Sequence, residues 1–320
     1  HVAICKKLEI YKNGRRSLTA SIYFALACFK VISLKPDLVE ADQIPFLQIW
    51  PLKVVCFALR IPLCVTWHEV WGTKYWREYL GPLGILAAVI ERLSMKLPNK
   101  IIAVSALTKD RLISAGVNPS KISLINNFVD SAEIRKAKTN LPATDLLFVG
   151  RLISHKRVDL LLEAIALLKK EEILPTIAIV GSGPESVNLK QQALKLGIDS
   201  QIKFYDSSLE SNDIWGMMAN CQIFVSASER EGYGIAVLEA ITAGAKALVS
   251  NHPDNAARFL ITNEIGKIVP EQTPKSWADS IKSGLATGVH ERRNLGSSPA
   301  NLENFGFEYM ENWTKVMATR

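Results

Sequence analysis

The 320-residue chain has no apolar run of the roughly 18–20 uncharged residues that a membrane-spanning helix requires. Its longest such stretch, ASIYFALACFKVISL (20–34), is broken by Lys30 and reads as a buried or interfacial helix. It has no Cys-x-x-Cys pair. The five cysteines (Cys5, Cys28, Cys56, Cys64 and Cys221) are odd in number, and four lie in apolar surroundings. That pattern favours reduced core thiols over disulfides or zinc ligands. A cytoplasmic location, or the cytoplasmic face of a membrane, is therefore expected. No leader pattern opens the chain, which begins at His1 rather than Met, so a missing N-terminal piece is expected. No solenoid-period repeat occurs. The full dinucleotide pattern Gly-x-Gly-x-x-Gly also fails, because Gly181 and Gly183 are followed by Ser186.

What is present is ordinary globular composition, 48% hydrophobic and 22% charged, with the charge unevenly spread. Residues 1–140 hold 20 Lys+Arg against 10 Asp+Glu, and the remainder 18 against 21. A basic first part beside a near-neutral second suggests an anionic partner for the first, such as a membrane surface or a phosphorylated lipid. No recognised nucleic-acid motif accompanies the charge, and nucleic acid is not expected as a partner.

Short Val/Ile-rich runs alternate with amphipathic stretches along the whole chain. The strand-like runs are 37–42, 62–69, 100–105, 121–126, 145–151, 176–183, 201–206, 222–228 and 246–250. The helical ones are 46–60, 85–97, 107–116, 158–171, 187–197 and 235–244. This alternation predicts α/β architecture with parallel sheets covered by helices. The segment 131–144 shows no hydrophobic periodicity and reads as a linker. The expected domains are 1–140 and 141–300, both Rossmann-like and doubly wound, facing a central cleft. A polar tract (286–301) precedes a last helix over 301–320 that could return to the first domain.

Four segments can carry chemistry, each following a strand. In SEREGYGIAVLEAITAG (228–244), a helix is expected from about Gly234 to a terminating Gly244. Glu231 and Glu239 would lie about 12 Å apart if every residue between them were helical. Gly232 and Gly234 let backbone approach a ligand, and the helix start favours an anion. Each carboxylate can accept from neighbouring hydroxyls of a sugar or a ribose; the plainer reading is a cap residue and a solvated helix residue. In FVGRLISHKRVD (148–159), Arg151 and Lys156 can hold a diphosphate, and Arg157 could share or replace that role. IVGSGP (179–184) forms a turn near the ligand cleft. In TWHEVWG (66–72), His68 can hydrogen-bond a hydroxyl or phosphate. The aromatic residues Trp67, Trp71, Tyr75, Trp76 and Tyr79 could stack on sugars, sit at a lipid interface or pack together.

Taken together and in chain order, TWHE, VSALT (104–108), VGRLISHK, IVGSGP and EGYGIAVLE resemble the retaining glycosyltransferases of family 4, which have the GT-B fold. The resemblance implies a hexose moved from a UDP- or GDP-sugar to a lipid-linked or saccharide acceptor, in envelope polysaccharide, glycolipid or glycoprotein glycan synthesis. It implies that Gly150, Arg151, Lys156, Gly181 and Gly183 surround the donor diphosphate. It places Glu231 on the transferred sugar, with Gly232, Tyr233 and Gly234 supplying backbone contacts. Glu239 would bind ribose, and His68 would approach the sugar or phosphate from the first domain. His68, Glu231, Arg151 and Lys156 are the implied catalytic set, and no cofactor or metal ion is implied. The chain departs from the family at Phe128, Asp206 and Lys246, and it has no counterpart of the family's first strand and Gly-rich loop before the helix at 17–34, so the first domain reads as truncated. That departure motivates an alternative, a non-catalytic nucleotide-sugar-binding or scaffold subunit. A nicotinamide-dependent dehydrogenase is disfavoured by the failed glycine pattern.

Overall fold

The computed structural model describes residues 3–6, 11–12, 15–286, 311 and 314. The expected last helix over 301–320 and the polar tract before it therefore lie almost wholly outside the described residues. Two compact units divide after Asn126.

The first unit begins with a short antiparallel pair, β1 (Tyr11–Lys12) and β2 (Arg15–Arg16). Then follow α1 (Leu18–Ala27), β3 (Val39–Asp42), α2 (Ile49–Leu59), β4 (Leu63–Trp67), α3 (Gly72–Leu80), α4 (Gly84–Ser94), β5 (Lys100–Ala103), α5 (Ala106–Ser114) and β6 (Ile122–Leu124). The main sheet is parallel and runs β3-β4-β5-β6, in chain order with no reversal among the described residues. Leu63, Cys64, Val65 and Trp67 of β4 are all buried, as a strand covered on both faces requires. Ser105 caps α5 by accepting from Thr108 N at 3.1 Å.

Of the two readings of 20–34, the structure rules out the buried helix. Within α1 only Ala25 and Ala27 are buried, and Leu18 and Leu26 are 68% and 62% exposed. The helix α3 has no sequence-based counterpart, because TKYWREYL mixes charge with aromatics. Its start is held by Glu91 of α4, which is buried. That carboxylate accepts from Trp71 N (2.8 Å), Gly72 N (2.9 Å) and Trp76 Nε1 (2.9 Å). A carboxylate at a helix N-terminus satisfies groups that have no partner within the helix. Trp71, Tyr75, Trp76 and Tyr79 pack on one another, with the Trp71 and Trp76 rings 4.5 Å apart, and Phe46 packs against both. Of the three readings of these aromatics, the structure shows mutual packing.

The second unit contains α6 (Ser131–Lys136), β7 (Leu146–Val149), α7 (Val158–Lys170), β8 (Ile177–Val180), α8 (Ser186–Leu196), β9 (Ile202–Tyr205), α9 (Ser211–Asn220), β10 (Ile223–Ser226), α10 (Ile235–Thr242), β11 (Lys246–Ser250), β12 (Gly266–Val269) and α11 (Pro274–Ala286). Its parallel sheet has the order β12-β11-β10-β7-β8-β9. The chain order reverses between β7 and β10, which is the doubly wound arrangement. The α7 segment VDLLLEAIALLKK buries Leu161, Leu162, Ile165 and Leu168 completely and packs against α11, where Trp277 and Ile281 are equally buried. Asp159 in its first turn and Lys169 and Lys170 in its last complement the helix dipole.

The unit boundary falls earlier than residue 140, for a local reason. Residues 131–136 are helical, contrary to the linker reading, because Asp130 caps them by accepting from Glu133 N at 3.0 Å. The chain after α6 then lies along α9. Thr139 Oγ1 donates to Asp213 Oδ1 (2.8 Å), and Asn212 Nδ2 donates to Lys138 O (2.8 Å). All five cysteines are free, and four are buried. Burial pushes the Cys64 and Cys221 thiols up to about 12.

Candidate active site

The reversal between β7 and β10 places the carboxyl ends of those two strands side by side, where open α/β sheets leave a crevice for ligands. After β7 come Gly150, Arg151 and the turn carrying Lys156; after β10 comes the segment 227–234. The two meet in an ion pair, Lys156 Nζ to Glu231 Oε1 at 2.5 Å, with both side chains about five-sixths buried (16% and 17% exposed). Ser228 Oγ donates to the same carboxylate oxygen at 2.8 Å.

Glu231 is clamped through its backbone as well. Its N–H donates to Asp254 O (3.2 Å), and its carbonyl accepts from Ala256 N (2.9 Å). Asn255 between them is completely buried. Its Nδ2 donates to Ser228 O (3.1 Å) and Ser250 O (3.2 Å), and its Oδ1 accepts from Ala257 N (3.0 Å). The carboxylate at 231 is thus held in place by the loop after β11.

Glu231 precedes the helix rather than lying in it. The helix α10 starts at Ile235, so only part of the run from 231 to 239 is helical, and the 12 Å rise expected from an all-helical run does not apply. Gly234 is the N-cap, with φ +97°, and a Cβ there would overlap the Cβ of Ala257. It is glycine for the fold itself as well as for backbone access. No side chain caps α10, so its first-turn N–H groups are available to an anion. Gly244 ends the helix as expected. It has φ +97°, its N–H donates to Ile241 O (3.1 Å), and Ala245 N donates to Ala240 O (2.9 Å), a Schellman pattern.

Gly150, Gly181 and Gly183 bring two loops into backbone contact. A Cβ at Gly181, whose φ is +146°, would overlap Gly150 O, and one at Gly183 would overlap Leu152 O. Leu152 N donates to Ser182 O (2.9 Å), and Glu185 N donates to Leu152 O (3.1 Å). The loop after β8 therefore buttresses the loop that carries Arg151. Gly232 lies half-buried in the bend before Gly234. Tyr233 is buried, and burial pushes its phenol up to about 12. Glu239 accepts from Trp215 Nε1 of α9 at 3.0 Å, and burial raises its pKa. Arg157, considered beside Lys156 as a phosphate ligand, pairs with Glu229 (2.5 Å) and Asp159 (3.2 Å).

His155 is a group that sequence reasoning missed. Desolvation, then the charges of Arg230, Lys156 and Arg151, push its pKa down to about 3. That depression marks a concentration of positive charge beside the Lys156–Glu231 pair, with Arg230 only 8% exposed. Ser228, Asn255 and Arg230 likewise carry no sequence signal of their own. No periodicity distinguishes them, although Arg230 adjoins Glu231 in the sequence.

His68 belongs to the first unit, at the carboxyl end of β4. Its Nε2 lies 2.8 Å from Asp42 Oδ1, and this hydrogen bond holds the Asp42 carboxyl below its ordinary value. Because the ionised carboxylate only accepts, Nε2 carries a proton, and in the neutral form of the ring Nδ1 is the acceptor. The backbone is fixed on both sides, with His68 N donating to Gln43 Oε1 (2.9 Å) and Thr108 Oγ1 donating to His68 O (3.2 Å). Asp42 faces Thr66 across the β3–β4 pair, a register that the sequence alone does not reveal.

Comparison with known proteins follows the same division. The family described as glycosyl transferases group 1 matches residues 130–298, and glycosyltransferase family 4 matches residues 3–133. A GDP-mannose:cellobiosyl-diphosphopolyprenol alpha-mannosyltransferase of Komagataeibacter xylinus is 29% identical over 166 residues, covering 51% of this chain and 41% of that protein. A glycogen synthase of Mycobacterium tuberculosis is 26% identical over 277 residues, covering 84% of this chain and 62% of that protein. The chain thus spans less than two thirds of the length of either relative. Among solved structures, Anabaena Alr3699/HepE in complex with UDP-glucose aligns with a TM-score of 0.73 at 19% identity, over 91% of this chain and 82% of that one. A sucrose-phosphate synthase from Thermosynechococcus elongatus aligns at 0.72 and 18% identity, over 94% and 79%. The fold is accordingly two parallel-sheet Rossmann-like halves of the GT-B class. With more than half its length matched by one family, and with the motif residues gathered where its second sheet reverses, the chain belongs to the glycosyl transferases group 1 family.

Proposed function

We propose that the protein is a retaining glycosyltransferase that moves a hexose from a UDP- or GDP-sugar to a lipid-linked or saccharide acceptor. The observation that carries this reading is the Lys156–Glu231 pair at the strand-order reversal of the second unit. Lys156 and Arg151 would hold the diphosphate, helped by the uncapped start of α10, so that positive charge meets the negative charge developing on the leaving group. In this assignment side chains and the helix start, rather than a metal ion, neutralise that charge. Gly150, Gly181 and Gly183 shape the backbone around it. Glu231 accepts from hydroxyls of the transferred sugar, and the backbone of Gly232, Tyr233 and Gly234 lines its other side. Glu239 keeps one oxygen on Trp215 and offers the other to the ribose. His68 accepts from a sugar hydroxyl through the nitrogen that Asp42 leaves free or, when protonated there, donates to phosphate.

For retention, the bond between the anomeric carbon and the diphosphate breaks while the acceptor oxygen bonds to that carbon from the same face. The acceptor's proton passes to the leaving phosphate oxygen. The names of relatives support the substrate classes: one is a GDP-mannose enzyme acting on a diphosphopolyprenol-linked sugar, and a structural neighbour holds UDP-glucose. A lipid-linked acceptor would place the protein at the cytoplasmic face of a membrane. The test is a panel of nucleotide sugars with the wild type, Glu231→Ala and Lys156→Ala. Transfer from one sugar, lost in both variants, is expected; unchanged turnover in the variants would remove the site assignment.

A further inference from the structure

We infer that the outer helical face of the first unit, formed by α1, α2 and α4, docks flat on an anionic lipid surface. The proposal rests on the reading of a lipid-borne acceptor only for its purpose; the surface itself can be tested without any transfer. On α2, Trp50, Val54 and Phe57 form one stripe at helical spacing, and Phe57 is 82% exposed. On α4, Leu86, Val89 and Leu93 form a second stripe, all about half exposed. The stretch from α1 through the turn at Cys28–Leu34 adds Leu26 and Phe29.

These elements meet. An open groove of about 280 Å³ lies among them, walled by Ile22, Leu26, Phe29, Trp50, Pro51 and Ile90. Trp50 Nε1 donates to Ser94 Oγ at 3.1 Å, which pins α2 to α4, so the apolar face is held together as one surface. Such a contiguous face exceeds the scattered apolar residues of an ordinary surface and marks an interaction site.

Charge identifies the occupant. The segments 18–35, 49–60 and 84–97 contain six cations: Lys30, Lys35, Lys53, Arg60, Arg92 and Lys96. They contain one acidic residue, Glu91, which is buried and engaged with α3. Apolar stripes on segments whose charges, the buried Glu91 apart, are all cationic complement a bilayer boundary bearing acidic headgroups. No helix among the described residues is long and apolar enough to cross a membrane, and α1, α2 and α4 have only 10, 11 and 11 residues. The geometry is therefore that of lying in the interface.

The test is flotation of the full chain with vesicles of phosphatidylcholine alone and with about a third phosphatidylglycerol, at low and high salt. Binding to the anionic vesicles, at least about tenfold stronger than to neutral ones and weakened by salt, is expected. The combined change Leu26→Ser, Phe57→Ser and Leu86→Ser should weaken it by at least about tenfold while the far-UV circular dichroism and the cooperative thermal transitions of the wild type persist as evidence of folding. Lys30→Gln, Arg92→Gln and Lys96→Gln together should remove most of the preference for anionic lipid. The proposal is overturned if the wild type binds neither vesicle, if the serine variant floats as well as the wild type, or if the face instead covers a second copy, seen as a dimer that the serine variant converts to monomer. Vesicle binding without sugar transfer would leave this inference standing and remove the proposed activity; transfer to a soluble acceptor without vesicle binding would do the reverse.

Discussion

The two units solve the same architectural problem and differ in where they put charge. In the second, the strand order reverses between β7 and β10, the loops after those strands meet, and a cation and a carboxylate pair there largely out of solvent. In the first, the strands run in chain order, and the corresponding pair, His68 and Asp42, is 44% and 69% exposed. Its surplus positive charge sits with the apolar outer helices instead. The contrast teaches that topology, more than the identity of the charged residues, decides which charges become a binding site. A reversal supplies two adjacent strand ends whose loops can desolvate a pair, whereas strands in chain order leave it open to water.

Substitutions can break or sharpen that contrast. The largest effect belongs to the buried pair: Lys156→Ala or Glu231→Gln should lower turnover by about 10²–10³-fold, measured as initial rates of transfer. Gly234→Ala should cost about 2–3 kcal/mol in denaturant unfolding, because it meets both a left-handed φ and Ala257. Gly72→Ala in the first unit, with φ +69° but open space, should cost about 1 kcal/mol. Asn255→Ala removes three buried hydrogen bonds and should cost about 2 kcal/mol, read by the same method.

His155 gives a pH signature. The folded protein holds it neutral down to about 3, whereas the unfolded chain protonates near 6.5. The unfolded state therefore binds more protons between these values. The stability present above about 6.5 is lost as pH falls toward 3, by up to about 1.4 kcal/mol per pH unit. His155→Gln should flatten that acid limb in melts taken from pH 7 to 4. The smallest effect is at the exposed pair, where His68→Ala should change stability by less than about 1 kcal/mol.

Most of the architecture was legible because it rests on period and punctuation. Nine strands form over the short Val/Ile-rich runs, and Gly244 ends α10 in the left-handed conformation that a helix stop requires. What escaped notice depends on partners distant in sequence. The helix α3 is built on Glu91, a residue that looks solvated in its own helix. The helix α6 has the short polar signal Asp130-x-x-Glu133, and β12 is a four-residue GKIV with Lys267 in its middle. At the site, the motif resemblance pointed to both Lys156 and Glu231, but no local spacing could show that residues 75 apart pair directly. Asn255 is one polar residue in HPDNAAR, and only the folded loop reveals that it braces Glu231.

The central claim is that the sugar nucleotide is held at the β7/β10 reversal of the second unit. Calorimetric titration of UDP and GDP into the wild type, Lys156→Ala and His68→Ala tests it most directly. At least about tenfold weaker binding in Lys156→Ala, with His68→Ala within about threefold of wild type, is the predicted result. Unchanged binding in Lys156→Ala, or a larger loss in His68→Ala, would contradict it.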